Sequence, residues 1–289
     1  MMKKTFAILV SSIILLSLPI QSQNKDKGYL FIIGGGDRSS SMMKRFLQLG
    51  NQSADDKIVI LPMASNDAHE SGKSMVEEFR NLGIQDVEYY VLDREQALDE
   101  RNSKILENVT RIYFPGGDQS LLTKALVKTP LHRRLLEIYE AGGVIGGTSA
   151  GAAVMSELMI TGDEKRAVGD GEAFTKILAD NIVVTPGFGF IRTAIIDQHF
   201  VTRKRHNRLI SLVAEHPDLL GIGIDESTAI IVNPDQTIEV IGEQNVVVYD
   251  ATEAKMTILP SQRIGGFGII MHLLKPGDRF DLKTKKAIE

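Results

Sequence analysis

Ser149 stands in the stretch of the sequence that most clearly suggests chemistry. It lies in "GTSAG" (147–151), which fits the pattern G-x-S-x-G, after the apolar "VI" and before the helix-like "AVMSELMI". This pattern occurs at strand-to-helix turns that expose a serine hydroxyl, and its glycines allow a strained turn. The following helix N-terminus offers N–H groups to developing negative charge. Small residues also crowd tight turns for packing alone, so the motif predicts either a nucleophile or a structural turn.

A serine nucleophile needs a base, and the chain has six histidines. His199 directly follows an apolar strand pattern in "AIIDQHF", where active-site residues of α/β proteins lie. A half-buried structural histidine is the alternative. His272 follows an apolar run and is expected in a packed or edge strand. The other four have polar or charged neighbours and are expected at the surface: His69, His132, His206 and His216.

Three carboxylates are candidates to orient this base. Asp225 and Glu226 form a pair in "GIGIDESTAIIV", between two apolar runs that would partly desolvate them. The alternative for the pair is a polar turn or a helix cap. Asp197, two residues before His199, is the third candidate.

The glycine-rich loop "PGGDQS" (115–120) follows a strand pattern and is suited to donate backbone N–H groups. Gly117 in this loop and Ala150, the residue after the serine, are the candidate donors of an oxyanion hole. A structural turn or a phosphate loop is the alternative. Glycines 34–36 do not fit G-x-G-x-x-G and no P-loop lysine follows, which disfavours a nucleotide site there.

A basic stretch, "DQHFVTRKRHNRL" (197–209), begins at the candidate base. A solvated helix face is the ordinary interpretation of such a run. If the stretch is helical, Arg203 lies on the same face as His199, and Arg205 and Arg208 form a neighbouring pair on another face. Arginines beside a catalytic serine would suit a bidentate clamp on a substrate carboxylate.

The elements that position these residues alternate between apolar strand patterns and amphipathic helical ones from Gly28 onward. This order predicts an α/β fold with three layers, in which helices cover both faces of a mostly parallel sheet. From about residue 220 the strand patterns follow one another closely and predict antiparallel strands that extend or flank that sheet. Residues 23–289 are therefore expected to form a single domain.

Composition narrows the classes of function. The net charge of −4 argues against general nucleic-acid binding, and the absence of cysteine excludes disulfides, thiolate metal sites and a cysteine nucleophile.

The N-terminal segment "MMKK" followed by "TFAILVSSIILLSLPI" has the charge and length of a secretory signal peptide over residues 1–22. An uncleaved N-terminal anchor is the alternative. The protein is thus expected to be exported to the periplasm or the medium, without a membrane association after cleavage.

Taken together, "FPGGDQ", "GGTSAGAAVMSELMI", "DQHFVTRKRHNRL" and "GIGIDESTA" resemble the cyanophycinases, within the peptidase E-like serine peptidases, over about residues 28–282. The resemblance implies a glutamine-amidotransferase-like, flavodoxin-related fold, no cofactor or metal, and a homodimer. It also implies a peptidase that cuts cyanophycin, a poly-aspartate backbone carrying arginines, into β-Asp-Arg dipeptides.

Residue by residue, the resemblance implies that Ser149 is the nucleophile, His199 the base and Glu226 the acid that orients it. The order serine, histidine, acid differs from that of the α/β-hydrolases. The implied substrate-binding positions are Gln119, Asp197, Gln198, Arg203, Arg205 and Arg208. Two alternatives stay open: a related peptidase for short aspartyl or isoaspartyl peptides, and a non-catalytic binding protein on the same scaffold.

Overall fold

The structure is a computed structural model that describes residues 27–50, 57–166 and 174–289. The expected signal peptide, residues 1–22, lies outside the described residues. Within those ranges, no helix combines the length and the apolar character that crossing a membrane requires.

The helices follow the amphipathic segments of the sequence. Helix α5, for example, begins where the Thr129 side chain accepts a hydrogen bond from the His132 N–H and Pro130 occupies the first turn. The helices are α1 (Ser40–Leu47), α2 (Ala68–Asn81), α3 (Arg94–Leu98), a 3₁₀ helix (Glu100–Leu106), α4 (Gln119–Leu126), α5 (Pro130–Glu140), α6 (Ala150–Ala153) and α7 (His206–Glu215).

The strands coincide with the apolar runs. They are β1 (Tyr29–Ile33), β2 (Lys57–Ile60), β3 (Val87–Tyr89), β4 (Val109–Phe114), β5 (Val144–Thr148), β6 (Leu158–Glu164), β7 (Ile182–Pro186), β8 (Ala194–Gln198), β9 (Leu220–Ile224), β10 (Thr228–Val232), β11 (Thr237–Gly242), β12 (Val246–Asp250), β13 (Lys255–Ile258), β14 (Ile264–Phe267), β15 (Ile270–Leu274), β16 (Arg279–Asp281) and β17 (Lys286–Ile288).

The main sheet has the order β17-β16-β11-β10-β1-β5-β4-β2-β3. Its strands β1, β5, β4, β2 and β3 are parallel, while β10, β11, β16 and β17 extend it with antiparallel pairings. A second sheet has the order β15-β12-β9-β8, in which β8 and β9 are parallel and the others antiparallel. The chain passes between the two sheets several times, and the short segment between β9 and β10 is one of these connections.

Apolar side chains fill three layers of packing. Helices α1 and α2 cover one face of the main sheet, with an aromatic cluster of Phe31, Phe46, Phe79 and Tyr113 at its centre. The other face packs against α3 to α6 and the second sheet. Helix α7 covers the outer face of the second sheet. The predicted fold class, a mostly parallel sheet with added antiparallel C-terminal strands, is confirmed.

Several details differ from the sequence-based expectations. Two of the four histidines expected at the surface are half-buried and hydrogen-bonded. The fold packs each of them against residues that are distant in the sequence, which its polar sequence neighbours do not indicate. His132 Nε2 lies 2.9 Å from the Phe188 carbonyl, and His206 Nδ1 lies 2.8 Å from the Tyr249 hydroxyl. His216 is also half-buried, whereas His69 is exposed.

Candidate active site

The register of the central strands brings three loops to one edge of the main sheet. Ile33 at the end of β1 lies beside Thr148 of β5, and Gly147 of β5 lies beside Phe114 of β4. The loops that follow these three strands therefore start at the same level. This is the carboxyl edge of the parallel strands, where α/β proteins place their ligands.

Ser149 occupies a sharp turn between β5 and α6, with φ 53° and ψ −107°. The flanking glycines are required because α6 lies directly against the sheet. A Cβ atom on Gly147 would lie 2.4 Å from the Gly151 carbonyl oxygen, and one on Gly151 would lie 2.0 Å from the Phe114 carbonyl oxygen. The G-x-S-x-G spacing thus permits a tight crossing that leaves the Ser149 side chain at the loop edge.

Three consecutive carbonyls at the end of β1 accept hydrogen bonds from the three segments that carry the reacting side chains. The Ile33 carbonyl accepts a hydrogen bond from the Ser149 N–H (3.0 Å), and the Gly34 carbonyl accepts one from the His199 N–H (2.7 Å). The Gly35 carbonyl accepts one from the Ser227 N–H (2.8 Å), next to Glu226. Ser149, His199 and Ser227 all have positive φ, at 53°, 49° and 52°.

Side chains of Ser149, His199 and Glu226 form a continuous hydrogen-bonded chain. Ser149 Oγ lies 2.8 Å from His199 Nε2, and His199 Nδ1 lies 2.6 Å from Glu226 Oε1. A carboxylate can only accept, so Nδ1 carries the hydrogen and Nε2 is free to accept the serine proton. The other two candidate acids are directed elsewhere: Asp225 Oδ1 accepts from the Thr202 N–H, and Asp197 pairs with Arg208.

His199 is buried beside the loop 34–36, and its environment favours the neutral imidazole. Burial lowers the pKa of His199 below its ordinary value, the hydrogen bond that His199 donates to Glu226 acts in the opposite direction, and the positive charge of Arg203 lowers the pKa further. A neutral imidazole next to a serine hydroxyl can accept its proton. This geometry is therefore capable of activating Ser149 for nucleophilic attack.

The loop after β4 flanks the serine. A Cβ atom on Gly116 would lie 3.4 Å from Ser149 Cβ, and Gly117 (φ 140°) would clash with the Ala64 carbonyl oxygen at 2.0 Å if it carried one. Neither the Gly117 N–H nor the Ala150 N–H has a hydrogen-bond acceptor among the described residues. Both amides are thus available to a negatively charged oxygen near Ser149.

Asp197 and Arg208 form a bidentate ion pair that is almost completely shielded from solvent. Arg208 Nε donates to Asp197 Oδ2 at 2.7 Å, and Arg208 Nη2 donates to Asp197 Oδ1. The Arg208 guanidinium also lies 4.9 Å from the centre of the Phe174 ring. Each of the two side chains is thus neutralised by the other in the interior.

Arg205 lies beside this pair, with its Nη1 3.9 Å from Asp197 Oδ1, and has unused hydrogen-bonding capacity. Its Nη1 donates to the carbonyl and to Oε1 of Gln198, whereas Nε and Nη2 have no acceptor within the described ranges. Burial, followed by repulsion from Arg208, lowers the pKa of Arg205 to about 10. The group is still cationic at neutral pH, and it is suited to bind an anionic group that enters the site.

Arg203 is more exposed and lies 3.8 Å, measured from its Nε, from Glu226 Oε1. The conditional expectation of a helix through residues 197–209 is wrong in its extent, because α7 begins only at His206. Residues 199–205 form successive turns, starting from the positive φ of His199, and one of them joins the Arg203 N–H to the His199 carbonyl at 3.0 Å. Arg203 therefore stays beside the histidine.

Gln119, the first residue of α4, is held by the bulged strand β6. Its Nε2 donates to the carbonyls of Ile160 (2.9 Å) and Thr161 (2.7 Å). Both amide hydrogens are thereby occupied, which leaves Oε1 as the atom free to interact with a ligand. A ligand at Gln119 would therefore meet an acceptor oxygen, which favours a donor group and not a carboxylate.

Side chains that could hold a metal ion are not grouped in the described ranges: no set of three or more His, Asp or Glu residues has the required arrangement. The ionisable residues of the site contact one another instead, as His199–Glu226 and Asp197–Arg208.

The loop of Gly34, Gly35 and Gly36 is the part of the site to which the sequence analysis assigned no role beyond disfavouring a nucleotide site. A Cβ atom on Gly35 would lie 2.2 Å from His199 Cε1, and one on Gly36 would lie 2.8 Å from Glu226 Cβ. The signal that could have revealed it is the run of three glycines at the end of a buried strand, which indicates close approach of other groups to the backbone.

Comparisons with known proteins connect the chain to a peptidase family. The sequence model of peptidase family S51 matches residues 30–240. Cyanophycinase of Synechococcus elongatus is 33% identical over 270 residues, covering 90% of this chain and 81% of the relative. Cyanophycinase of Geminocystis herdmanii (strain PCC 6308) is 35% identical over 268 residues, covering 90% and 95%.

A solved structure, that of a peptidase from an acI-B1 Actinobacterium, has a similar fold. Its TM-score is 0.62 at 24% identity, and the match covers 90% of this chain and 98% of that one. At this identity the likeness concerns the fold alone. Because the family match spans most of the chain and the relatives align over nearly its full length, the chain belongs to peptidase family S51 and is a serine-type peptidase.

Proposed function

We propose that this peptidase hydrolyses cyanophycin to β-Asp-Arg dipeptides through a triad of Ser149, His199 and Glu226. The observation that carries the proposal is the hydrogen-bonded chain from Ser149 Oγ through the His199 ring to Glu226 Oε1. The names of the similar proteins supply the substrate class.

In this mechanism Ser149 Oγ attacks the scissile carbonyl carbon while His199 Nε2 takes its proton. Glu226 stabilises the resulting imidazolium, and the amides of Gly117 and Ala150 bind the negatively charged oxygen. The imidazolium then protonates the leaving amine. Water, deprotonated by His199, hydrolyses the acyl-enzyme and restores Ser149.

We assign substrate recognition mainly to the arginine side chains of the site. Arg205, with two free donor groups, and the more exposed Arg203 would bind aspartyl carboxylates. Gln198 and the buried pair Asp197–Arg208 would hold Arg205 in place. Gln119 Oε1 would accept a hydrogen bond from a donor group of the substrate, such as a peptide N–H or the guanidinium of its arginine.

The first test uses the purified protein, insoluble cyanophycin, and soluble Asp-X and β-Asp-X peptides. Wild type should release soluble β-Asp-Arg, and Ser149→Ala should lower kcat/KM by at least about a thousandfold, because the nucleophile is lost. Cleavage of the short peptides alone would assign the chain to the aspartyl-peptide alternative. Binding of cyanophycin without any product from wild type would indicate a non-catalytic binding protein.

Gly35→Ala should lower kcat by about a hundredfold with little change in KM, because the new methyl group forces the His199 ring away from Ser149. Gly83→Ala is the matched control: Gly83 also has positive φ (99°), but a Cβ atom there meets nothing within 4 Å. Both variants carry similar backbone strain, so only the first should lose activity. A Gly35→Ala enzyme with the wild-type kcat would contradict the placement of the base.

Arg203→Gln should move the acidic limb of the kcat/KM profile to higher pH. The base must be neutral, so activity falls as the pH drops through the pKa of His199. The positive charge of Arg203 lowers that pKa, and removing the charge raises it. Lys204→Gln removes an adjacent exposed charge that does not act on His199 and should leave the limb unchanged. An Arg203→Gln limb at the wild-type position would argue against this coupling.

The N-terminal segment, residues 1–22, is proposed to direct export to the periplasm or the medium and to be cleaved near Gln23. Mass spectrometry of the protein isolated from those fractions should find a chain that starts close to Gln23. Full-length chain confined to the cytoplasmic fraction would refute the proposed export.

A further inference from the structure

Asp225 is a buried acid that the proposed mechanism does not use. It directly precedes Glu226 and is 5% exposed. A carboxylate is rarely buried unless it is paired or hydrogen-bonded. In the described part of the chain its one side-chain hydrogen bond comes from the Thr202 N–H, which donates to Asp225 Oδ1 at 2.9 Å. The side chain therefore connects the segment of the catalytic acid to the basic segment after His199.

The backbone of Asp225 is fixed independently of this contact. Its N–H donates to the Asn245 carbonyl at 3.3 Å. Gly34 packs so closely against it that a Cβ atom on Gly34 would lie 2.2 Å from the Asp225 carbonyl oxygen. The carboxylate thus projects from a backbone that the end of β1 already holds in place.

The segment that receives the contact, residues 199–205, is a series of turns with an exposed tip. The amides of residues 203–205 donate to carbonyls within the segment at 2.9–3.0 Å, and the side chains of residues 201–204 are exposed. Among the amides of residues 201–205, only that of Thr202 donates to an acceptor outside the segment in the described ranges. Asp225 is therefore the hydrogen-bonded anchor of the tip.

The ion pair between Arg203 and Glu226 is too weak to hold the tip by itself. The Arg203 side chain is 53% exposed and its Nε lies 3.8 Å from Glu226 Oε1, and exposed ion pairs gain little over solvation by water. A hydrogen bond from an amide to a buried carboxylate is stronger, because the acceptor is charged and shielded from water. The position of Arg203 thus depends on Asp225 more than on its own ion pair.

We propose that Asp225 is a positioning residue, which holds Arg203 beside Glu226 by anchoring the Thr202 amide. Asp225 itself touches neither the substrate nor the reacting atoms. Its effect on substrate binding rests on the proposed function, in which Arg203 binds an aspartyl carboxylate.

The anchor also has a consequence for the catalytic base. The charged groups that face His199 are Glu226, Arg203 and Arg205. Burial lowers the pKa of His199, the hydrogen bond to Glu226 raises it, and the two arginines lower it. Without the anchor, Arg203 would move out into solvent, where its charge is screened. The pKa of His199 should then rise.

The first experiment follows the titration of His199 by NMR of protein with labelled histidines, in which His199→Gln identifies the signal. Asp225→Ala should raise the pKa of His199, although removal of a negative charge by itself would lower it. Asp225→Asn keeps an acceptor oxygen and should not raise it. In an Arg203→Gln background Asp225→Ala should cause no further rise, since the charge that it releases is already absent.

Asp250→Ala is the matched control for loss of a buried carboxylate. Asp250 is 9% exposed and accepts from the Thr252 N–H at 2.9 Å. It lies at the other end of β12, since Val246 is the residue of β12 that pairs with Ile224, so the control should leave the pKa of His199 unchanged. An unchanged or lowered pKa in Asp225→Ala would overturn the proposal, as would a rise in Asp225→Asn equal to that in Asp225→Ala.

The second experiment measures cleavage of a soluble cyanophycin fragment at a pH well above the titration of His199. Asp225→Ala should raise KM about fivefold and leave kcat within about twofold of wild type, because Arg203 binds the substrate but takes no part in proton transfer. The rise should disappear in an Arg203→Gln background, and Asp250→Ala should have the wild-type KM. A loss of kcat with unchanged KM in Asp225→Ala would contradict the positioning role.

A third measurement uses wild type alone, so it does not depend on the folding of any variant. The Thr202 amide should exchange with deuterated water at least about a hundredfold more slowly than the Val201 amide, which has no acceptor in the described ranges. Equal exchange rates would refute the anchor. Neither this measurement nor the histidine titration requires turnover, so a wild type that cleaves no cyanophycin would count against the proposed function alone.

Discussion

The site depends on the hydrogen bonds accepted by three successive carbonyls, those of Ile33, Gly34 and Gly35. They receive the amides of Ser149, His199 and Ser227, which come from three separate parts of the chain. Strand β1 belongs to the main sheet, β8 before His199 belongs to the second sheet, and Glu226 lies on the short connection from β9 of the second sheet to β10 of the main sheet. One strand end thus sets the relative positions of the two sheets at the point where the reacting side chains meet.

The close approach of these side chains requires glycines and strained backbone conformations. The His199 ring lies against Gly35 at a distance that no larger residue allows, and α6 crosses the sheet at Gly147 and Gly151. Ser149, His199 and Ser227 adopt positive φ, at a cost of roughly 1–3 kcal/mol each. Each of the three strained residues donates its amide to β1, and these hydrogen bonds help to offset the strain.

Charge in the site is separated into two groups with different environments. Asp197 and Arg208 neutralise each other in the interior, where loss of either partner would leave an unpaired buried charge and cost about 3–5 kcal/mol. Arg205, next to them, is a partly desolvated cation whose Nε and Nη2 meet no acceptor in the described part of the chain, and its lowered pKa reflects that burial. The basic stretch 197–209 therefore contains a structural pair and a cation that is suited to bind a ligand.

The sequence by itself determined the fold class and drew attention to Ser149 and His199, because strand and helix periodicity and the G-x-S-x-G turn are local properties. Residue types and spacing left three acids open for the histidine, the family resemblance implied Glu226, and neither gave the glycines at 34–36 a role beside the imidazole. Only the tertiary structure decided that Glu226 reaches His199, that Asp225 caps a turn instead, and that Gly35 lies under the imidazole ring. Those outcomes depend on strand register and on the packing of two sheets against each other, which are relations between residues far apart in the chain.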